Sequence, residues 1–165
     1  MQSYRFFPVE IDLFELLRDD HAQQRECLQH LISAPLDAAR RLSGTLELIT
    51  LLRVHAAAEQ RTLYAGLLGQ HAGQLPALCC IDEHRHIEQL LPRLLGMAER
   101  ANDAQWRRAV IELQRELERH QEEEEHAIFC LLGQQLTARE RMQLAQNYRR
   151  EVGLQQLLLQ LELPP

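Results

Sequence analysis

The sequence contains no lysine, because all 18 of its basic residues are arginine. A lysine Schiff base is therefore excluded as a catalytic device. The arginines are scattered among 24 acidic residues and the formal net charge is −6, so we expect no nucleic-acid partner. No apolar run reaches the length of a membrane span, and Met1 to Leu17 shows no basic segment followed by an unbroken apolar run. We predict a cytoplasmic protein with no membrane partner.

Paired metal-binding cysteines are also missing. Cys27, Cys79, Cys80 and Cys130 form no C-x-x-C pair, which argues against a zinc–thiolate site. Cys79 and Cys80 are adjacent and unsuited to an ordinary structural disulfide. We predict that all four are reduced, mostly buried small hydrophobic residues. Redox sensing by the adjacent pair is the alternative.

The spacing of the apolar residues predicts helices. These residues recur at intervals of three and four and do not alternate, so no strand is expected. The chain of 165 residues is long enough for one domain with a substantial core. Four long helices on short connections predict an antiparallel up-down-up-down bundle. The predicted helices are Val9 to Ser33, Asp37 to Leu68, Leu78 to Arg100, and one from the Asn102-Asp103 cap to about Leu132, where Gly133 stops it.

A fifth, short helix is predicted after the bundle. It opens at the capping box formed by Thr137 and Glu140 and runs to about Glu151. The predicted organisation is therefore all-α, with a bundle over about 9–133 and an extension over 137–165. We expect a single domain that spans 1–165.

Two copies of a His-x-x-x-Glu motif point to a metal site. His120 and Glu124 are four residues apart, so they stack on one face of a helix. Steps of three and four from His120 reach mainly leucine, valine and isoleucine. His55 and Glu59 repeat the pattern on the second helix. Ionisable groups on an apolar stripe are costly to bury unless they are paired or coordinated.

Two further histidines lie on the apolar stripes of the other two helices. His21 belongs to the first helix and His84 to the third. His84 and His120 are each about eighteen residues from the turn at Asn102, so they lie at the same height at ~1.5 Å per residue. His21 and His55 are placed less evenly about their turn, with a mismatch of about 9 Å by the same rise. The predicted inward-facing set is His21, His55, Glu59, His84, His120 and Glu124.

This set suits two divalent or trivalent first-row metal ions. Each ion takes two imidazole nitrogens, and both carboxylates bridge the pair. Imidazole with carboxylate favours iron, manganese, zinc or cobalt over magnesium or calcium. Six protein ligands leave open or water-filled positions on each ion, and such positions permit small-molecule chemistry.

Two other interpretations of the histidines are open. A ferritin-like di-iron site uses Glu-x-x-His on two helices, and Glu83-x-x-His86 and Glu123-x-x-His126 match that spacing. Helical phase puts these pairs on polar faces, so we predict that His86 and His126 are not ligands. Alternatively, each stripe histidine is an ordinary hydrogen-bonded core residue. The bundle would then be a metal-independent interaction scaffold.

Two aromatic residues and several glutamates lie near the His-x-x-x-Glu motifs. Tyr64 and Phe129 each follow a predicted bridging glutamate by five residues, and they either line the metal pocket or, the more usual role, pack in the core. Glutamates away from the stripes are expected to be solvated. These are Glu122, Glu123 and Glu125. Glu88, at the edge of a stripe, is also expected to be solvated, with a role as a spare metal ligand as the alternative.

Four sequence blocks resemble a known family. They are Asp20-His21, His55-Ala-Ala-Ala-Glu59, Asp82-Glu83-His84-Arg85-His86-Ile87 and His120-Gln-Glu-Glu-Glu124-Glu125-His-Ala-Ile-Phe129. In this order they resemble hemerythrin-like domains of the HHE cation-binding type, from Asp12 to about Glu151. The resemblance implies a non-haem centre of two iron ions per chain, with an oxo or hydroxo bridge. It also implies that the metal ligands are His21, His55, Glu59, His84, His120 and Glu124.

The resemblance leaves the function open between binding and chemistry. Members of the family bind oxygen, sense oxygen or redox state, respond to nitric oxide, or take part in iron handling and iron–sulfur cluster repair. Oxygen carriers have a second histidine where this chain has Glu88, and they space the fourth-helix histidine and carboxylate by five residues, not four. We therefore expect a di-iron protein that binds or senses O₂, NO or redox state. The alternative is a di-iron oxidoreductase or iron donor in peroxide or NO defence.

The carboxyl-terminal segment is rich in leucine. Gly153 is predicted to end the fifth helix, and six leucines separated only by Gln and Glu follow before Pro164-Pro165. The segment is too short to span a membrane. Contiguous apolar surface of this kind usually marks an interface. We expect it to join two copies into a homodimer, with docking on its own bundle as the alternative.

Overall fold

The chain folds into helices throughout the part that the structure describes. The structure is a computed structural model and describes residues 11–33, 35–100 and 102–162. Pro8 and Val9, where the first helix was expected to start, lie outside the described residues, as do Leu163, Pro164 and Pro165. No strand occurs in the described ranges, so the all-α prediction is confirmed. The elements are α1 (Leu13–Ser33), α2 (Ala38–Glu59), a π-helical turn (Gln60–Tyr64), α3 (Ala65–Leu68), α4 (His71–Arg100), α5 (Asp103–Gln135) and α6 (Ala138–Glu162).

Helices α1, α2, α4 and α5 form the predicted four-helix bundle. α1 and α4 each pack between α2 and α5, and short connections make neighbours antiparallel. The side chains of Asp37 and Asn102 accept hydrogen bonds from backbone N–H groups in the first turns of α2 and α5, which fixes where these helices begin. None of the described helices combines the length and the apolar character needed to cross a membrane.

α4 begins earlier than the sequence predicted, because Gly73 and Pro76 do not interrupt it. A Cβ atom at residue 73 would lie 2.9 Å from the backbone oxygen of Leu67. Glycine is therefore used here for the close approach of α3 and α4, not for a loop. Pro76 lacks an N–H group and removes one hydrogen bond near the start of a helix of 30 residues.

α6 lies against α1 and α2 and is longer than predicted. Its start matches the predicted capping box, since the Thr137 backbone N–H donates to Glu140 at 2.8 Å and the Glu140 N–H donates to the Thr137 hydroxyl at 3.3 Å. The predicted end near Glu151 was wrong, because the helix continues through Gly153 to Glu162. A single glycine in a helix costs only ~1 kcal/mol relative to alanine, and the Leu and Gln residues around it are good helix formers. α5 similarly passes Gly133 and ends at Gln135.

The four cysteines are free, as predicted, but most are not buried. Cys80 is buried and Cys27 is half-buried. Cys79 and Cys130 are exposed, since each lies about 100° around its helix from a buried neighbour, Cys80 or Phe129. The prediction of mostly buried cysteines was therefore wrong.

A layer of buried polar side chains divides the core into two apolar clusters. One cluster packs around Leu17, Leu63 and Phe129 at the end of the bundle where α1 begins. The other packs around Leu28, Leu91 and Trp106 at the opposite end. Buried polar groups between two apolar clusters are shielded from bulk water, so they must satisfy one another or bind a buried water molecule or an ion. The polar layer is where the candidate site lies.

Candidate metal centre

The six predicted inward-facing residues meet in the polar layer. α1 contributes one histidine, α4 another, and α2 and α5 each contribute a histidine and a glutamate one turn later. None of these side chains belongs to a residue more than 7% exposed. They are His21, His55, Glu59, His84, His120 and Glu124.

Four of these residues form the first group of candidate ligand atoms. One atom each from His21, His55, Glu59 and Glu124 lies within 4.8 Å of the others. His21 Nε2 is 3.3 Å from Glu124 Oε2, and His55 Nε2 is 3.1 Å from Glu59 Oε1. These four atoms are buried and have no hydrogen-bond partner. Two imidazole nitrogens and two carboxylate oxygens that converge without partners are a donor set suited to a cation.

The expected mismatch between His21 and His55 is absent. Their ring centroids are 5.1 Å apart, because the stagger of α1 and α2 absorbs the unequal distances from the turn. The two rings therefore reach the same group.

Glu59, His84 and His120 form the second group of candidate ligand atoms. His84 Nε2 lies 3.3 Å from Glu59 Oε2 and 2.8 Å from His120 Nε2. Glu59 thus belongs to both groups and presents one oxygen to each. Glu124 was predicted to be a second bridging carboxylate. Its Oε2 atom faces the first group, but its Oε1 atom accepts a hydrogen bond from the Tyr64 hydroxyl at 2.5 Å and does not face the second group. Glu59 is the carboxylate that lies between the two groups, with one oxygen directed toward each.

Each of the four imidazoles has a polar partner at Nδ1, the ring nitrogen that faces away from the candidate ligand atoms. Glu125 lies 2.9 Å from Nδ1 of His21, and Glu83 lies 2.9 Å from Nδ1 of His120. The prediction that Glu125 is merely solvated was therefore wrong. Such outer partners fix the orientation of a ligating imidazole and raise its basicity. The Tyr148 hydroxyl lies 2.8 Å from Nδ1 of His55. The Gln60 amide nitrogen lies 3.3 Å from Nδ1 of His84, where it donates a hydrogen bond and orients the ring without raising its basicity.

The partner of His55 comes from α6. The Tyr148 hydroxyl donates to Asp20 Oδ2 at 2.6 Å, so its oxygen is free to accept the Nδ1 proton of His55 at 2.8 Å. When His55 is neutral, this arrangement leaves its Nε2 lone pair directed toward the first group. A role for Tyr148 was not predicted, because nothing in the local sequence of α6 shows that it meets residues far earlier in the chain.

The π-helical turn brings Tyr64 to the carboxylates. In an α-helix, residues five apart point in different directions, but the wider π turn places residue 64 on the same side as Glu59. The Tyr64 hydroxyl lies 3.3 Å from Glu59 and 2.5 Å from Glu124. Tyr64 therefore lines the site. Phe129 packs in the core, with its ring 4.8 Å from that of Phe14 and 6.4 Å from that of His21. Spacing by five from Glu59 was the available signal for Tyr64.

Burial and charge shift the pKa values of these groups strongly. Burial alone would lower the pKa of His55, but Glu59 and Asp20 outweigh it and raise that pKa well above its usual value. Burial would raise the pKa of Glu59, but His55 and His84 hold it well below its usual value. The hydrogen bond from His120 lowers the pKa of Glu83 to about 2. Glu59 and Glu83 are therefore ionised at neutral pH.

Cys80, Glu83 and His120 form a third group of close side chains. Burial and the charge of Glu124 raise the pKa of the Cys80 thiol well above its usual value. The thiolate is the form that binds metals, so this group is poorly suited to hold one. Glu83 is better explained as the residue that orients His120.

Comparison with known families identifies the chain. The family model for the hemerythrin HHE cation-binding domain matches residues 12–132. The chain belongs to this family. The match covers α1 to α5 up to Leu132, which includes every residue of the two groups, and it confirms the resemblance seen in the sequence. Searches of curated proteins and of solved structures give no match.

A small cavity adjoins the second group of this hemerythrin-family site. It lies among α2, α4 and α5 and has a volume of about 20 Å³. Glu88 is at its edge and pairs with Arg53 at 2.5 Å while remaining exposed, as predicted. The cavity is lined by Leu52, His55, Ala56, His84, Ile87, Glu88, Leu91, Leu117 and His120.

His86 and His126 lie outside both groups. His86 is 52% exposed and 3.7 Å from Glu116, and His126 is exposed. We predict that His86→Ala and His126→Ala leave the bound iron and its optical spectrum unchanged, because neither ring reaches the polar layer. The matched control is His84→Ala, two residues from His86 on the same helix, which should lose iron. Bleaching of the spectrum in either test variant would instead favour a ferritin-like site.

Proposed function

We propose that the protein holds two iron ions in the polar layer and binds or senses O₂, NO or redox state through them. The supporting observation is the convergence of four buried donor atoms that lack any hydrogen-bond partner, from His21, His55, Glu59 and Glu124. Leaving such atoms unpaired would cost free energy, and a cation removes that cost. The imidazole and carboxylate donors fit iron and other first-row metals.

The residues divide into ligands and residues that orient them. One ion would be held by His21, His55, Glu59 and Glu124, and the second by Glu59, His84 and His120. When bound, an iron pair supplies electrons and open coordination positions for a small ligand. Tyr64 keeps the second oxygen of Glu124 occupied. The Nδ1 partners keep the four rings turned inward, and they are Gln60, Glu83, Glu125 and Tyr148.

The size and lining of the cavity support the proposal that the ligand is a diatomic gas. A volume of about 20 Å³ is close to the minimum that holds one water molecule, so the cavity suits a ligand of diatomic size. Five of its nine lining residues are leucine, isoleucine or alanine, and such apolar surface favours an uncharged gas over an anion. The histidines of the second group form the wall nearest the proposed iron pair.

The gas-binding proposal is tested with protein loaded with ferrous iron under anaerobic conditions. We expect O₂ or NO to change the optical spectrum, and removal of the gas to restore the original spectrum. A spectrum that is unchanged by both gases would contradict the proposal. Consumption of the gas without restoration would favour the alternative, a di-iron oxidoreductase or iron donor in peroxide or NO defence and iron–sulfur cluster repair.

A variant at the cavity wall checks the route of the gas. Ala56→Leu should slow gas binding several-fold at unchanged iron content, because the larger side chain fills part of a cavity of about 20 Å³. Ala57→Leu is the matched control, since the adjacent residue does not line the cavity. Equal rates in the two variants would show that the gas does not pass this wall.

A further inference from the structure

α6 presents two different faces. Its inner face carries Ala145, Tyr148 and Val152, which pack into the apolar cluster near the start of α1. Its outer face carries four leucines at spacings of three, one and three residues, so all four share one side of the helix. They are Leu154, Leu157, Leu158 and Leu161, with exposures of 46%, 60%, 41% and 82%.

These leucines form an unusual concentration of apolar surface. They are four of the seven large hydrophobic side chains exposed in the described part of the chain. Isolated exposed leucines need no explanation, but a contiguous apolar patch on a helix commonly marks an interface. The outer face therefore requires a partner surface.

The patch is also free of charge. No acidic or basic residue occurs from Val152 to Leu161 in a chain that is 25% charged overall. Two copies of a chain with net charge −6 repel each other, so an uncharged patch is where they can meet at least electrostatic cost. The exposed side chains of Gln156 and Gln160 beside the leucines both donate and accept hydrogen bonds, so an identical surface can satisfy them.

The order of the leucines suits a two-fold axis. Spacings of three, one and three are the same in both chain directions, so an antiparallel copy sets Leu157 opposite Leu158 and Leu154 opposite Leu161. A two-fold contact needs a patch that is complementary to itself. We propose that the outer face of α6 pairs with the same face of a second copy, antiparallel, to form a homodimer.

The proposed dimer places α6 between the interface and the metal centre. Tyr148 lies on the inner face of this helix and holds His55 from behind at 2.8 Å, about two turns before Leu154. A stable interface buries about 800 Å² on each partner, so the flanks of α6 and neighbouring parts of the bundle must join the leucine patch. The dimer contact uses the outer face of α6 and does not depend on which metal the protein binds.

Oligomeric state tests the proposal. Sedimentation of the full chain over a concentration series should show a dimer at micromolar concentration. Leu157→Glu combined with Leu158→Glu should give a monomer that keeps its helix content and its bound metal, because both side chains point away from the core. Leu75→Glu is the matched control: Leu75 is 70% exposed on α4, and this variant should remain dimeric.

Two further measurements separate the second copy from other occupants of the face. An equal mixture of Leu157→Glu and Leu158→Lys chains should recover dimer relative to either chain alone, because antiparallel pairing places residue 157 opposite residue 158. Failure to recover would overturn the antiparallel register. A full-length monomer would overturn the dimer, and dimerisation only after removal of residues 1–10 would identify that segment as the occupant.

Discussion

Glu59→Ala is expected to reduce the bound iron from two ions per chain to about one. Glu59 presents Oε1 to the first group, 3.1 Å from His55 Nε2, and Oε2 to the second group, 3.3 Å from His84 Nε2. Without it the first group keeps His21, His55 and Glu124, but the second keeps only two imidazoles. Two ligands are too few to retain an ion firmly. Metal analysis of protein loaded with excess ferrous iron and then desalted measures the change.

Two other glutamates calibrate this result. Glu124→Ala should weaken iron binding less than Glu59→Ala, because each group then still holds three ligands. Glu122→Ala should have no effect, since Glu122 is exposed on the polar face of α5. Full iron content in Glu59→Ala would contradict the assignment of Glu59 as the shared carboxylate.

Iron loading is expected to raise the melting temperature by about 10 °C or more. In the metal-free layer two fully buried carboxylates face histidines at 3.1 and 3.3 Å without a completed hydrogen bond, so an ion that coordinates these atoms stabilises the folded state. A ligand at about a thousand times its Kd stabilises the folded state by ~4 kcal/mol, and each ~1 kcal/mol shifts Tm by roughly 2–4 °C in a chain of this size. Calorimetry of the metal-free and iron-loaded protein gives the shift.

The double variant Glu59→Ala with Glu124→Ala is the control for this shift. It removes both buried carboxylates, so its melting temperature should depend little on iron. If iron raised the melting temperature of the double variant and of the native chain equally, iron would stabilise the protein from another site.

Helical periodicity was enough to predict the bundle and the cluster of six side chains. A single histidine on an apolar stripe says little about the fold. Four such histidines, at compatible heights on four helices, indicate that the four side chains meet at one level of the bundle. Asp37, Asn102 and Thr137 were also identifiable from sequence as helix starts, because capping depends on local residue types.

The outer partners of the histidines could not be predicted by the same reasoning. Glu83 and Glu125 flank the stripe positions, and their sequence neighbours are charged, so phase alone assigns them to solvent. The contact of Tyr64 with Glu59 and Glu124 could not be decided from α-helical phase, because the π turn changes the phase by one residue. Tyr148 meets His55 only through the packing of α6 across α1 and α2, a contact between residues 93 positions apart.

The helix boundaries that were wrong involve glycine and proline. Gly153 was predicted to end a helix, and the predicted start of α4 at Leu78 left out Gly73 and Pro76, yet all three residues lie inside helices. Their local cost of a few kcal/mol or less is offset by tertiary packing or by helix-forming neighbours. The continuation of α6 past Gly153 aligns the four exposed leucines on one face of the helix.

Anomalous diffraction at the iron absorption edge from crystals of iron-loaded protein tests the central claim most directly. Two iron peaks are predicted in each chain, one enclosed by His21, His55, Glu59 and Glu124 and the other by Glu59, His84 and His120. A single peak, or a peak beside Cys80 and Glu83, would contradict the shared di-iron centre.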